Sequence, residues 1–229
     1  KYWGSIMSKK LLKNSLIKFA FAVVMVWMSI FLPAGSFSYK NGWLFMVVLF
    51  TPIFLVGVVL FLFDPELLKK RLSIKENEKK QSLVVKLSGL TFFAGFVVAG
   101  LNYRLGWFML PMFVVKVAIG IFLLSYLLYA EVLRENKYLS RTIEVSENQQ
   151  VVDKGLYRIV RHPMYTATIF LFLSMPLILG SVLSFLVFSA YPFIIARRII
   201  LEEELLLKEL DGYYEYTQRV KYRLIPFVW

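Results

Sequence analysis

The sequence predicts an all-α, polytopic membrane protein with about six hydrophobic helices, of which the last two form a helical hairpin, and a cytosolic C-terminal helix. Of its 229 residues, 59% are hydrophobic and only 18% are charged, whereas soluble domains average about 45 to 50% and 25%. The net charge is +12, and the basic residues lie between the hydrophobic stretches. This distribution favours a basic membrane protein, and we predict no nucleic-acid partner.

The hydrophobic residues form six stretches, at 16–32, 43–63, 87–101, 107–130, 165–179 and 182–196. The first four approach the roughly 20 residues that a helix needs to cross the hydrocarbon core. The last two are shorter, and they are separated by Pro176 and the Gly180-Ser181 pair. Because proline and glycine interrupt helices, this spacing predicts a tight hairpin.

The basic residues indicate the orientation of the chain. Five lie in the N-terminal arm up to Lys18, seven in the loop 64–86, six in the segment 131–165 and six in the tail from Arg197. With six crossings all four segments fall on one side of the membrane. By the positive-inside rule, both termini and any site built from these segments are cytosolic.

The chain divides into three predicted parts. Residues 1–6 precede Met7, which resembles a natural start, so we expect them to be foreign to the protein. Residues 7–148 hold the first four helices with their basic cytosolic loops, and residues 149–229 form the core that carries the chemistry.

We expect 131–144 to extend the fourth helix into the cytosol. The loop 64–86 is explained by attraction to anionic headgroups, with a lid over the site as the alternative.

One motif lies at 149–165 and includes Arg161-His162-Pro163 directly ahead of an apolar helix. Proline is favoured at the first helical position, so we expect His162 to cap the fifth helix. The free N–H groups of a helix start, beside the Arg161 guanidinium, form a plausible anion pocket. The alternative is that Arg161 only anchors the helix among headgroups. With one histidine and no cysteine in the chain, we predict no metal.

A second motif lies in the tail, where a helix leaves the membrane. Arg198 and Glu202 are four residues apart and therefore share a helix face. Asp211-Gly212 is expected to end this helix. Acidic residues at a membrane exit are costly unless they are paired or functional, although a solvated charged helix remains the alternative.

Together these motifs resemble the isoprenylcysteine carboxyl methyltransferase and phospholipid methyltransferase-like family of integral membrane methyltransferases. The resemblance covers 149–229 and rests on the order Gly155-x-Tyr157-x-x-x-Arg161-His162-Pro163-x-Tyr165, a hydrophobic hairpin, Glu202-Glu203-x-x-Leu206, Gly212, Tyr213-x-x-Tyr216 and Val220-x-Tyr222-Arg223-Leu224-Ile225-Pro226. The chain departs from the common pattern at Leu156, where proline is frequent, and at Ala167, where glycine is frequent.

The resemblance implies a methyltransferase that uses S-adenosylmethionine. It implies that the cofactor contacts are Gln149, Gln150, Val151, Val152, Tyr157, Arg161, His162, Pro163, Met164, Tyr165 and Glu202, with Glu203 as a rival to Glu202. It places Arg198 near the methyl acceptor, so that Arg198, Glu202 and His162 are the candidate catalytic residues. The implied partners are the lipid bilayer and a hydrophobic or amphiphilic acceptor.

The acceptor chemistry stays open at this point. The sulfonium donor is already activated, so the protein mainly has to align the acceptor and exclude water. A carboxylate acceptor needs no general base, whereas an amine or thiol must lose a proton, to His162 or to a carboxylate.

Two other functions are compatible with the sequence. Membrane sterol reductases share a comparable helical arrangement and a similar Tyr-Arg-Leu-Ile-Pro ending, but they use NADPH. A non-enzymatic scaffold or transporter is the other alternative, for which the strongest feature is Lys116 near the middle of the fourth stretch.

Overall fold

The computed structural model describes residues 2–72, 79–136, 138, 145 and 149–229. Within these ranges the helices are α1 (Tyr2–Ala34), α2 (Lys40–Phe63), α3 (Pro65–Leu72), α4 (Lys79–Arg104), α5 (Met112–Glu135), α6 (Pro163–Ile178), α7 (Val182–Phe188), α8 (Tyr191–Glu209) and α9 (Tyr213–Arg219), with a 3₁₀ turn at Gly155–Arg158. The predicted all-α class is confirmed.

Five segments of the described chain are long and apolar enough to cross a membrane, at Lys9–Ala34, Lys40–Phe63, Leu83–Arg104, Met112–Glu135 and Val182–Glu209. Helix α6 is apolar but shorter. Large apolar side chains cover their outer faces, as at Phe21 and Phe113, which are 65% and 75% exposed. Because water would make this surface very costly, it is a lipid-facing surface, and the prediction of a polytopic membrane protein is confirmed.

Helix α1 packs along α4, and α5 packs along α6. Between α1 and α4, a Cβ atom added at Gly100 would overlap the Ile30 carbonyl oxygen and lie 3.0 Å from the Ala34 nitrogen. The two backbones therefore approach as closely as they do only because residue 100 has no side chain. Aromatic rings fill the interior on the other side of α4, where Phe96 lies 5.5 Å from Phe45 and 5.6 Å from Phe188 between ring centroids.

The predicted hairpin is formed by α6 as its first arm and by α7 followed by α8 as its second arm. Its turn uses Gly180 in the left-handed region, at φ 75°, and the Ser181 side chain accepts a hydrogen bond from the Ser184 backbone at 3.1 Å. The Tyr39 hydroxyl donates to the Leu179 carbonyl at 2.5 Å. This bond ties the hairpin turn to the loop between α1 and α2, at the end of the bundle opposite the motifs.

The sequence suggested that the sixth hydrophobic stretch is one continuous helix, but the structure divides it into two. Helix α7 ends at Phe188 and α8 begins at Tyr191. Pro192 has no N–H group to donate to the Phe188 carbonyl, so the helical hydrogen-bond ladder is interrupted there.

Two expectations about α5 were wrong. The helix begins at Met112, after Pro111, so Lys116 lies in its second turn and is exposed rather than being mid-span. It ends at Glu135, because Asn136 adopts an extended conformation with φ −120° and ψ 95°. The expected extension to residue 144 therefore stops at Glu135, and residues 139–144 lie outside the described chain.

Replacing Gly100 by leucine should lower the stability of the purified protein in detergent by about 1 to 3 kcal/mol, because the new side chain forces α1 away from α4. The measurement is the apparent melting temperature. Gly89 is a matched control on the same helix, since a Cβ atom there meets nothing within 4 Å. Equal melting temperatures for Gly100→Leu and Gly89→Leu would contradict the close α1–α4 contact.

Candidate functional site

A polar cavity lies where α5 and α8 end and α6 begins, next to the segment that carries the first motif. Its lining residues are Asn136, Tyr138, Gln149, Gln150, Val151, Val152, Tyr157, Arg161, His162, Met164, Tyr165, Arg198, Glu202, Leu206, Leu210, Tyr213 and Tyr216. The two motifs are about 40 residues apart in the chain, and the α6–α7–α8 hairpin brings them together.

The cap of α6 joins the first motif to the tail. His162 is the N-cap residue and Pro163 is the first helical residue, as the sequence predicted. The Arg161 and His162 backbone N–H groups donate to the Tyr222 and Arg223 carbonyls, each at 2.9 Å. The residue numbers of the two bonded segments rise together, so the tail runs beside the motif in the same direction and holds it in place.

Glu203 is the centre of a buried charge cluster behind the cavity. Its carboxylate accepts from Arg161 Nε and from Arg223 Nε, both at 2.7 Å, and it lies 3.1 Å from His162 Nε2. The glutamate is only 5% exposed. A buried carboxylate needs such partners, because desolvation without them costs several kcal/mol.

Arg161 is committed to this cluster. Besides Glu203, its guanidinium donates from Nη1 to the Val220 and Lys221 carbonyls at 2.9 and 3.0 Å. Arg161 does line the cavity, but these bonds direct most of its donors towards the tail. The geometry therefore supports a positioning role more than the capture of an anion that we expected.

Glu202 points in the other direction, into the cavity. It accepts a hydrogen bond from the Tyr165 hydroxyl at 2.6 Å, and the Tyr165 hydroxyl accepts one from Arg198 Nε at 2.9 Å. Tyr165 thus connects Arg198 to Glu202, which are one turn apart on α8. Of the two rival glutamates, Glu202 lines the cavity and Glu203 lies behind it.

His162 lies between the two glutamates. Since the Glu203 carboxylate accepts at Nε2, a neutral imidazole carries its proton on that nitrogen. The other nitrogen, Nδ1, is left as a lone pair 3.9 Å from Glu202 Oε1. His162 can therefore take up a proton at Nδ1, on the side of Glu202.

Tyrosines close the cavity on the α9 side. The Tyr157 hydroxyl accepts from Asn136 Nδ2 at 2.9 Å, and the Tyr216 hydroxyl donates to the Tyr157 carbonyl at 2.7 Å. Burial raises the pKa of Tyr157 to about 12, so its phenol stays neutral at physiological pH.

Tyr213 has no such partner. It is 4% exposed, and its hydroxyl forms no hydrogen bond within the described residues. Burial, reinforced by the nearby Glu203 charge, raises the pKa of this phenol as well, so it is a neutral donor. A buried hydroxyl without a partner costs about 1 to 3 kcal/mol, and an acceptor atom of a ligand in the cavity would remove this cost.

The cavity contains most of the residues that the sequence nominated, except Pro163 and Glu203. Pro163 is buried as the first residue of α6, and Glu203 is turned towards the two arginines. That the nominated residues contact a cofactor stays a prediction. Within the described chain, no group of three or more His, Cys, Asp or Glu side chains is placed to hold a metal ion.

Sequence reasoning missed six lining residues: Asn136, Tyr138, Leu206, Leu210, Tyr213 and Tyr216. The Tyr-x-x-Tyr spacing in the tail was a usable signal for Tyr213 and Tyr216. Nothing in the sequence pointed to Asn136, because its position depends on where α5 ends.

The fold and the cavity define a polytopic helical membrane protein with a polar site at one end of the bundle. Residues 113–212 match the family model for phospholipid methyltransferases. The fold is similar to that of the eukaryotic intramembrane Ras methyltransferase, isoprenylcysteine carboxyl methyltransferase, with a TM-score of 0.52 and 18% identity over 95% of this chain and 86% of that one. No curated protein matches the sequence.

These matches confirm the resemblance to the isoprenylcysteine carboxyl methyltransferase and phospholipid methyltransferase-like family, and they support a membrane methyltransferase. The structural match by itself shows only a similar fold, since the two chains share few identical residues. The family match begins within α5 and ends just after α8, so it includes the whole hairpin and both glutamates.

Replacing Glu203 by glutamine should destabilise the protein by about 3 to 5 kcal/mol, because it leaves the buried Arg161 and the partly buried Arg223 guanidinium groups without a counter-charge. Glu202→Gln, one residue away and facing the cavity, is the matched control and should change the melting temperature little. A larger loss for Glu202→Gln than for Glu203→Gln would contradict the assignment of Glu203 as the structural carboxylate.

Proposed function

We propose that the chain is an integral membrane methyltransferase that uses S-adenosylmethionine to methylate a lipid-borne or amphiphilic acceptor. The observation that carries the proposal is the polar cavity at the end of the bundle, where the first motif meets Arg198 and Glu202. We place the site and both termini in the cytosol, because with six crossings the four basic segments fall on one side of the membrane, and the positive-inside rule assigns that side to the cytosol.

The cavity offers a partner for each part of the cofactor. Apolar walls at Val151, Leu206 and Leu210 suit the adenine, and the ring of Tyr157 or Tyr213 can stack on it. Glu202 can accept from the ribose hydroxyls or from the amine. The start of α6 provides partial positive charge for the carboxylate. When bound, S-adenosylmethionine supplies a methyl group on a positively charged sulfur.

On the acceptor side, Arg198 is the residue that can neutralise an anionic group. Its Nε donates to the Tyr165 hydroxyl, which in turn donates to Glu202. This chain holds the acceptor-side arginine and the cofactor-side glutamate at a fixed spacing, so that the acceptor is aligned with the methyl group.

An anionic acceptor such as a carboxylate is favoured by Arg198 and needs no general base. Methyl transfer then forms a bond from an acceptor oxygen to the methyl carbon and breaks the bond from that carbon to sulfur, which leaves a neutral thioether and a neutral ester. An amine or thiol acceptor would in addition have to lose a proton, and His162 Nδ1 is the site that could take it.

The geometry does not favour either alternative function, the scaffold or transporter or the NADPH-dependent reductase. Lys116, on which the scaffold or transporter depended, lies in the second turn of α5 and can extend to the membrane surface. Of the two arginines that line the cavity, Arg161 is bound to Glu203 and to the tail, so it offers little to the 2′-phosphate of NADPH.

The function is tested with purified protein in lipid vesicles. We expect S-adenosylmethionine to bind in calorimetry and NADPH not to bind, and we expect a labelled methyl group to enter a fraction of the native membrane lipids or prenylated peptides. Binding of NADPH without S-adenosylmethionine would support the reductase instead. Absence of label from every fraction would contradict an enzyme of this class.

Replacing Arg198 by glutamine should reduce methyl transfer by about 100-fold or more while cofactor affinity changes less than about threefold, because Arg198 acts on the acceptor side. Arg197→Gln is the matched control, since Arg197 is the exposed neighbour and does not line the cavity. An equal loss of activity in both variants would argue that only the general positive charge matters.

Replacing Tyr213 by phenylalanine should weaken cofactor binding about tenfold, which corresponds to one hydrogen bond, without lowering the melting temperature of the ligand-free protein. Tyr216→Phe is the contrast, because its hydroxyl bonds to the Tyr157 carbonyl and its loss should reduce stability. Unchanged affinity in Tyr213→Phe, measured by calorimetry, would show that this hydroxyl does not bind the cofactor.

A further inference from the structure

An apolar groove lies apart from the catalytic cavity and shares no lining residue with it. Its walls are α1 and α2 on one side and the last turns of α5 on the other, with α3 at its open end. The buried residues of α2 all lie between Gly42 and Phe50, and none lies in the second half of the helix.

The groove is as deep as one leaflet of a bilayer. Its lining runs from Leu12 to Ala22 on α1 and from Phe50 to Leu62 on α2. At the rise of an α-helix these spans are about 15 and 18 Å, and half of the hydrocarbon core is about 15 Å. An extended acyl chain in its ordinary orientation therefore fits along the whole groove.

Charge at the open end selects the headgroup. Within the described chain, Lys18 is the charged residue of the lining, and no Asp or Glu occurs there. Its ammonium donates to the Leu72 carbonyl at 2.5 Å, which places it at the end of α3. Among the described residues this is its one hydrogen bond, so two of its three donors have no partner there. Lys9 is seven residues before Leu16 and lies on the same face of α1, so a second positive charge flanks this end.

We propose that the groove binds one anionic phospholipid of the leaflet on the α3 side, with an acyl chain between α1, α2 and α5 and its phosphate at Lys18. This lipid is a bound component of the protein and not the methyl acceptor. A zwitterionic phospholipid would fill the same space but would add no net negative charge opposite the lysines.

The bound lipid has a route of influence on the catalytic cavity. Tyr129 lines the groove from α5, and Asn136, which lines the cavity, directly follows the end of this helix at Glu135. The lipid chain supports the last turns of α5, and these turns position Asn136 for its hydrogen bond to Tyr157. Binding itself is independent of the proposed methyl transfer.

The site is tested by native mass spectrometry of the purified protein, titrated with phosphatidylglycerol or phosphatidylcholine of identical chains. We expect phosphatidylglycerol to bind about tenfold more tightly. Lys18→Gln should remove this preference, and Lys18→Arg should keep it. Lys10→Gln is the matched control, because Lys10 lies on the opposite face of α1 and outside the groove.

Gly57 allows the groove itself to be blocked. A Cβ atom at Gly57 meets nothing within 4 Å although this residue lines the groove, so Gly57→Phe should fold normally and exclude both lipids. Gly120→Phe on α5 is the control, since its Cβ is equally unobstructed and it does not line the groove. If Gly57→Phe proves unstable, Gly57→Leu provides the same test with a smaller side chain.

Three results would overturn the proposal. Equal affinity for the two lipids would remove the role of Lys18, and unchanged lipid binding in a folded Gly57 variant would place the lipid elsewhere. Transfer of a labelled methyl group to the groove lipid would identify it as the acceptor. Because binding is measured without S-adenosylmethionine, failure of the lipid site and failure of the methyltransferase proposal are distinguishable.

Discussion

The carboxylate of Glu203 organises the part of the protein that holds the cavity. It lies in the interior on α8, and two arginines neutralise it: Arg161 from the start of α6 and Arg223 from the tail. Because an ionised group in this environment is tolerated only with partners in good geometry, three distant segments must converge on one point. The cap of α6, the exit of α8 and the final residues are therefore fixed relative to one another.

The burial of Glu203 also fixes the direction of the adjacent residue on the helix, Glu202. On a helix, adjacent side chains point about 100° apart, so burying Glu203 turns Glu202 towards the cavity. There it meets the Tyr165 hydroxyl, which also accepts from Arg198. The structural cluster and the polar lining are thus two sides of the same turn of α8, so that one of two adjacent acids stabilises the fold and the other lines the cavity.

The membrane-spanning helices are held together by forces that differ from those of the charge cluster at Glu203. In lipid, helix association depends on close packing rather than on hydrophobic burial, and the contact at Gly100 between α1 and α4 is of this kind. Where packing is incomplete, as along the second half of α2, the bilayer itself completes the surface. The end of the bundle that contains the cavity is stabilised by charge and hydrogen bonds, whereas the apolar part of the bundle is stabilised by close packing.

The sequence alone determined the helical membrane class, the hairpin, the cap at His162 and the two motifs, because these depend on local length, proline and glycine chemistry, and charge. Most of the cavity lining could be nominated from the same motifs. The tertiary structure decided which glutamate faces the cavity, since Glu202 and Glu203 are chemically identical and differ only in the partners that the fold brings to them. It also decided the positions of Asn136 and Gly57, because the cavity and the groove that they line are formed by segments far apart in the chain and leave no local signal.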